Sequence, residues 1–334
     1  MLHYLPLLLG LAQAQEPLCR ALALEGGGSR GAYQAGALLG LTTLLPGEDI
    51  MWNVVTGIST GALNSGLVAQ FPMGQEVAMA QYTAEKWRTI NSSAAVYVNY
   101  PGCDEACAIL TEGSMWTTAP LRETLTEFYV NGIHRNITVG SSNLDLGQFS
   151  DFNETVGNEN LIEAVMCSAA PPLFFPSQDF EGYSWADGGC MCNLEVFKAV
   201  ERCLDVVESE SQVIVDMIFC QGQEMAPKNG ANWTTYDVFT RSKDIHSYDN
   251  SMWYLYTAMQ AYPDVNFRYI IIPSKPLAGT IVPFDFTSAN ILSEISEGQS
   301  DAETVISNGA SPQIIAEEWH LRTYNKARPY SRSR

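Results

Sequence analysis

The stretch Ala21-Leu-Ala-Leu-Glu-Gly-Gly-Gly-Ser-Arg-Gly-Ala-Tyr33 decides how the rest of this 334-residue chain is read. Short apolar residues run into three consecutive glycines and then into a segment compatible with a helix. A strand that delivers a glycine loop to a helix N-terminus presents backbone N–H groups to an anion. The anion can be a phosphate held permanently, as in a nucleotide-binding fold. It can equally be a charge that exists only in a transition state.

Downstream, Gly31 to Leu45 predicts a small-residue helix able to pack closely on a sheet, ended by Pro46-Gly47. Met51 to Thr56 predicts a second strand, which leads into Gly57-Ile-Ser-Thr-Gly61 and then a small-residue helix over 62–69. Gly-x-Ser-x-Gly between strand and helix is the setting that lifts a serine hydroxyl out of a sheet, with Gly57 and Gly61 permitting the tight turn. On the bare motif, an ordinary helix cap explains Ser59 equally well. A serine nucleophile also needs a base. His134, His246 and His320 are available, but none has distinctive surroundings. Asp187, in Tyr183-Ser-Trp-Ala-Asp-Gly-Gly189, is either a carboxylate held at a strand end or a simple turn former.

Composition narrows the partners. With 18 basic and 37 acidic residues, the formal charge is −19, which argues against nucleic acid. Hydrophobic residues make up 46% of the chain, enough for a sizeable core. Residues 1–14 form a short apolar run ending in Ala12-Gln-Ala14, the pattern of a cleaved signal peptide. Eight cysteines agree with an oxidising destination, and Cys103 and Cys107 are spaced to close a small loop. Cys190 and Cys192 are too close to bridge each other, so each is expected to pair with a distant cysteine. Acceptor sequons at Asn91, Asn136, Asn153 and Asn232 fit the same compartment. The expected location is therefore outside the cell or in a secretory-pathway lumen. No later stretch reaches the roughly 18 apolar residues of a membrane span, so no transmembrane anchor is expected. The basic residues gather in the tail, at Arg322, Lys326, Arg328, Arg332 and Arg334.

Between these landmarks, strands alternate with helices. Helices are expected over 74–90, 119–129 and 160–168, and strands over 137–140, 213–219 and 267–272. The last two are near-continuous apolar runs suited to strands buried on both faces. The pattern predicts one α/β layered domain with a largely parallel sheet.

Taken together, Gly26-Gly-Gly-Ser-Arg-Gly31, Gly57-Ile-Ser-Thr-Gly61 and Asp187-Gly188-Gly189 resemble the patatin-like phospholipase family. The helix after the glycine loop, Ala119-Pro-Leu-Arg122 and the turn Ser168-Ala-Ala-Pro-Pro-Leu-Phe-Phe-Pro176 extend the resemblance over residues 20–310. It leaves residues 311–334 as a C-terminal segment with the basic tail. The resemblance implies a three-layer α/β/α sandwich and a lipid acyl hydrolase working by a serine–aspartate dyad. Ser59 would be the nucleophile, Asp187 the base, and Gly26, Gly27 and Gly28 the oxyanion donors. Arg30 matches the family's basic loop position, where it would support the loop or meet substrate phosphate. Asn193 matches an asparagine beyond the family's acid, with a structural role. No cofactor and no calcium are implied. The implied partner is a lipid substrate at a membrane or micelle interface.

Two other functions remain on the sequence. A lipid-binding or storage protein on the same fold would use the aromatic segment Met252–Tyr262 against acyl chains, although such a stretch is more commonly core. A dinucleotide-binding protein would use Gly26-x-Gly-x-x-Gly31 with Glu48 or Asp49 as its ribose acid. That reading leaves Ser59 and Asp187 without a role.

Overall fold

A computed structural model of the chain describes residues 17–225, 227–230, 232–277, 283–309 and 312–324. The expected signal peptide and the end of the basic tail lie outside them. The first half contains β1 (Cys19–Leu24), α1 (Gly31–Leu44), β2 (Val54–Ile58), α2 (Thr60–Ala69), α3 (Glu76–Thr89), α4 (Glu105–Thr111) and α5 (Ala119–Phe128). Next come β3 (Asn136–Asn143), β4 (Gln148–Asn153), α6 (Leu161–Ser168), β5 (Gln178–Phe180), β6 (Tyr183–Asp187) and α7 (Val196–Leu204). The chain continues through β7 (Val213–Ile218), α8 (Thr235–Ala261), β8 (Asn266–Ile271), α9 (Ser288–Asn308) and α10 (Pro312–Tyr324).

The eight strands form one sheet in the order β5-β6-β3-β2-β1-β7-β8, with β4 also paired to β3. Pairs β1–β2, β1–β7, β2–β3 and β7–β8 are parallel, whereas β3–β4, β3–β6 and β5–β6 are antiparallel. Alternation along β1 sends Leu22 and Leu24 into one core with α1, α2, α3 and α9. It sends Ala21 and Ala23 into the other, with α7, α8 and α10. The result is the expected three-layer α/β/α sandwich with a mostly parallel sheet.

Several local expectations change. The second strand begins at Val54 and runs through Gly57 to Ile58, later than the predicted 51–56. The antiparallel strands β4 and β5 were not expected. The glycines of α1 serve a helix contact as well as the sheet: a Cβ on Gly36 would lie 2.0 Å from the carbonyl oxygen of Ile295 in α9. In the C-terminal segment, Ile315, Ala316 and Trp319 of α10 are buried in the second core.

Two disulfides are present, Cys19–Cys203 and the expected Cys103–Cys107. Cys167, Cys190, Cys192 and Cys220 are free thiols, so the distant pairing expected of Cys190 and Cys192 does not occur. Cys19–Cys203 ties the first strand to α7 across 184 positions. Chain-entropy arguments assign a loop of that size about 5 kcal/mol.

Candidate active site

Ser59 sits between β2 and α2 with φ 54° and ψ −119°, a backbone conformation rare for a residue with a side chain. Crowding imposes it. A Cβ on Gly57 would lie 2.2 Å from the Gly61 carbonyl oxygen, and one on Gly61 would lie 2.2 Å from the Leu24 carbonyl oxygen. The strand-to-helix turn therefore closes so tightly against β1 that neither flanking position accepts a side chain. The Ser59 N–H donates to the Ser168 hydroxyl at 2.9 Å, and that hydroxyl donates to the Gly140 carbonyl at 2.6 Å.

Strand β3 brings the acid to the serine. Its residues 136–140 pair with β2, ending with Ile58 opposite Gly140. The next residue, Ser141, stands opposite Asp187 of β6. Since β4 covers the other edge, β6 takes over where β2 leaves the sheet. Asp187 is buried, its carboxylate accepts the Gly189 N–H at 2.8 Å, and the Ser59 side chain lies beside it. Burial raises its pKa from the ordinary carboxylate range to about 6, with the Ser59 hydroxyl and the Gly189 N–H opposing the rise.

The glycine loop borders the same cavity. Its first N–H is occupied: Gly26 donates to the Asn193 carbonyl at 3.1 Å, so it does not fit the donor role expected of it. The N–H groups of Gly27 and Gly28 have no protein partner among the described residues. Neighbours account for the missing side chains. A Cβ on Gly27 would lie 2.3 Å from Cys220 Cβ, and Gly28 has φ +60° beside the Pro283 carbonyl.

Beneath the loop, Glu25 is fully buried, and its pKa is pushed up to about 7 by burial. Its carboxylate accepts from the Ser251 hydroxyl and the Cys220 N–H, both at 2.5 Å, and from the Asn193 side chain at 3.3 Å. Asn193 also donates from its side chain to the Gly26 carbonyl at 3.2 Å, while its own N–H donates to Asn250 of α8 at 2.8 Å. The glycine loop, the acid loop and α8 thus share one buried polar network.

The cavity holds about 340 Å³. Ser59, Asp187 and the glycine loop line its polar end, and Trp87, Leu121, Phe174, Phe175, Phe284 and Phe286 are among its apolar walls. Phe175 stacks on Phe284 with ring centroids 5.0 Å apart.

The patatin-like phospholipase family model matches residues 22–200, more than half of the chain, and the match spans the glycine loop, the serine turn and Asp187. The chain belongs to the patatin-like phospholipase family. It is 25% identical over 259 residues to the cGAMP-activated phospholipase of Escherichia coli (strain TW11681), covering 68% of this chain and 70% of that protein. Among solved structures, VipD from Legionella pneumophila is 13% identical, with 88% of this chain and 67% of that one covered. Its TM-score of 0.42 is too loose a likeness to bear on the site.

Other residues singled out in the sequence fall as follows in this phospholipase-family chain. Arg30 donates to the Cys220 carbonyl at 3.3 Å, bracing the loop, and it also lines the cavity. His134 bonds the Asn131 carbonyl at 2.9 Å, and His320 stacks on Tyr256 with centroids 4.2 Å apart. His246 lines the cavity, but it is the buried carboxylate of Asp187 that lies beside Ser59. Asp49 pairs with Arg20 at 3.3 Å and Arg268 at 3.4 Å, beside the start of β1. The glycine loop follows the opposite end of that strand, so Asp49 is no ribose partner for it.

Met252–Tyr262 is the last part of α8 with the residue that follows it, and it mainly packs: Tyr254 meets Phe197, and Tyr256 meets Trp319. It is an earlier part of that helix, with Phe239 and Thr240, that borders the cavity. Of the sequons, Asn91 and Asn232 are exposed and Asn136 is half-buried at the start of β3. Asn153 accepts the Thr155 N–H at 2.9 Å. The supporting residues Ser168, Glu25 and Ser251 were not assigned from sequence. Ser168 and Glu25 lie within quoted stretches, whereas nothing local distinguishes Ser251.

Proposed function

We propose that the protein hydrolyses carboxylic ester bonds of phospholipids or other glycerolipids through an acyl-enzyme on Ser59. The observation carrying this reading is that Ser59 and the buried carboxylate of Asp187 meet at the polar end of a cavity with aromatic and aliphatic walls. Ser59 Oγ attacks the ester carbonyl as its proton passes to Asp187. The displaced electron pair becomes an oxyanion beside the Gly27 and Gly28 N–H groups. Its collapse breaks the bond to the alcohol oxygen, which leaves with the proton from Asp187. Water then attacks the acyl-enzyme and gives a proton to Asp187, and the fatty acid is released as Asp187 passes that proton to the Ser59 oxygen. Burial suits Asp187 to this work, because a carboxylate with a pKa about 6 is a better base than an exposed one. The apolar walls would receive the acyl chain.

The test is hydrolysis of a phospholipid by the purified protein beside Ser59→Ala and Asp187→Asn. Both variants should lose roughly 10⁴-fold or more in kcat/KM, and Ser59→Ala should abolish labelling by a fluorophosphonate. Undiminished turnover in either variant would sink the dyad. The two disulfides support a secretory-pathway or extracellular location. Finding the chain only in the cytosol after expression with residues 1–16 intact would overturn that location.

A further inference from the structure

An ester buried in a bilayer reaches Ser59 only if the lipid can enter the cavity. Two exposed apolar segments stand close to its outer walls. The first leaves the core at Val98, which pairs with Thr117 across an isolated antiparallel bridge. Between these two residues lies α4, seven residues long and too short to persist alone. The Cys103–Cys107 disulfide encloses its first turn, and Asp104 caps it by accepting the Cys107 N–H at 2.9 Å. The helix so fixed buries only Ala108 and leaves Leu110 84% and Ile109 49% exposed. The second segment is the first turns of α8, where Tyr236 and Phe239 are also exposed.

Both segments join the cavity's aromatic wall at their bases. Phe239 is both exposed and part of the cavity lining. Phe239 shares that lining with Phe284, and Phe284 borders Tyr97 at 5.9 Å. Tyr97 in turn stacks on Trp116 at 4.4 Å. An isolated exposed leucine needs no explanation, but apolar groups exposed on two segments that both lead off the walls of an apolar cavity do. Charge selects the kind of surface they meet. Asp104, Glu105 and Glu112 flank the protrusion on a chain with net charge −19, so an anionic bilayer is repelled.

We infer that α4, held by its disulfide, and the first turns of α8 form a docking face for a zwitterionic lipid surface. Leu110 and Ile109 enter the acyl boundary, Tyr236 sits at headgroup level, and Phe239 begins the path from bilayer to cavity. This inference rests on the lipid-hydrolase reading of the cavity.

The experiment compares the full chain with an Ile109→Asp/Leu110→Asp variant on phosphatidylcholine vesicles. Vesicle binding by co-sedimentation is measured alongside hydrolysis of the vesicles and of a soluble short-chain ester. The variant should lose at least about tenfold in vesicle binding and vesicle hydrolysis. It should keep its soluble-ester rate within about twofold, which also reports that it folds. Adding phosphatidylserine should weaken binding of the parent protein. Equal vesicle binding by parent and variant overturns the inference, and so does tighter binding to phosphatidylserine vesicles. A parent dimer that the variant loses also overturns it, because a second copy would then cover the face. If the parent binds vesicles and the variant does not, yet the parent hydrolyses neither substrate, the docking face stands and the Ser59 reading fails.

Discussion

Ser59 and Asp187 are held in place by different physics. Around Ser59 the restraint is mainly steric: Gly57 meets Gly61, Gly61 meets the end of β1, and the hydroxyl of Ser168 holds the one N–H left over. Around Asp187 the restraint is polar. Its N–H donates to the Ala170 carbonyl at 2.9 Å, its carboxylate faces Gly189, and Asn193 joins the following loop to the glycine loop and α8. Steric positions tolerate no added atom and do not respond to pH. Polar positions tolerate small changes of shape but respond to protonation and to the loss of a single donor.

The most severe way to probe the contrast is Gly61→Ala. The new methyl would meet backbone, the Leu24 carbonyl oxygen at 2.2 Å, so β1 and α2 would have to separate. A loss on the order of 3 kcal/mol in urea unfolding, or failure to recover folded protein, is expected. Wild-type stability in this variant would show that the elbow is not sterically set. On the polar side, Asn193→Ala removes donors to Glu25 and Gly26 without adding an atom. It should cost about 1–3 kcal/mol of stability and lower kcat on a soluble ester about tenfold, with KM little changed. A change confined to KM would mean that the network shapes substrate binding instead.

The smallest effect is the pH dependence, and it separates activity from stability. In the proposed mechanism Asp187 must be ionised to act as base, so log kcat/KM should climb through about pH 6. Stability should move the other way. Asp187, Glu25, Glu195 and Glu294 all have folded-state pKa values raised by burial, to about 6, 7, 8 and 7. Between their ordinary values near 4 and these raised ones, the folded chain binds more protons than the unfolded chain. Its stability therefore falls as pH rises through that window. Tm should be higher at pH 5 than at pH 8. The reverse order would show that these carboxyls are ionised in the folded protein at lower pH than burial implies.

The same contrast explains what could be read from the sequence. Steric requirements leave local marks: three glycines after a strand, and glycines two residues either side of Ser59, were enough to locate the turn and its loop. The apolar runs of β7 and β8 were equally plain. Polar requirements are met by residues far apart in the chain. The bond from Asn193 to Glu25 spans 168 positions and that from Ser251 to Glu25 spans 226, so neither leaves a local pattern. For the same reason the sequence could not say that the Gly26 N–H is taken by Asn193, or that Cys190 and Cys192 stay reduced. Strand β4, Gln-Phe-Ser-Asp-Phe-Asn, was hidden by its polar residues, because only Phe152 is buried. The handover of β3 from β2 to β6, which brings acid and serine together, is a fact of register that no single segment encodes.

Cys220 gives the glycine loop a built-in clock. Its thiol is buried against the position where Gly27 has no side chain, and burial, with Glu25 beside it, holds its pKa well above the usual thiol value. A thiolate at that position can react only when the loop lifts away. The rate at which an alkylating reagent modifies Cys220 therefore counts loop openings, and a ligand that seats against Gly27 should slow the count in proportion to the time it keeps the loop closed.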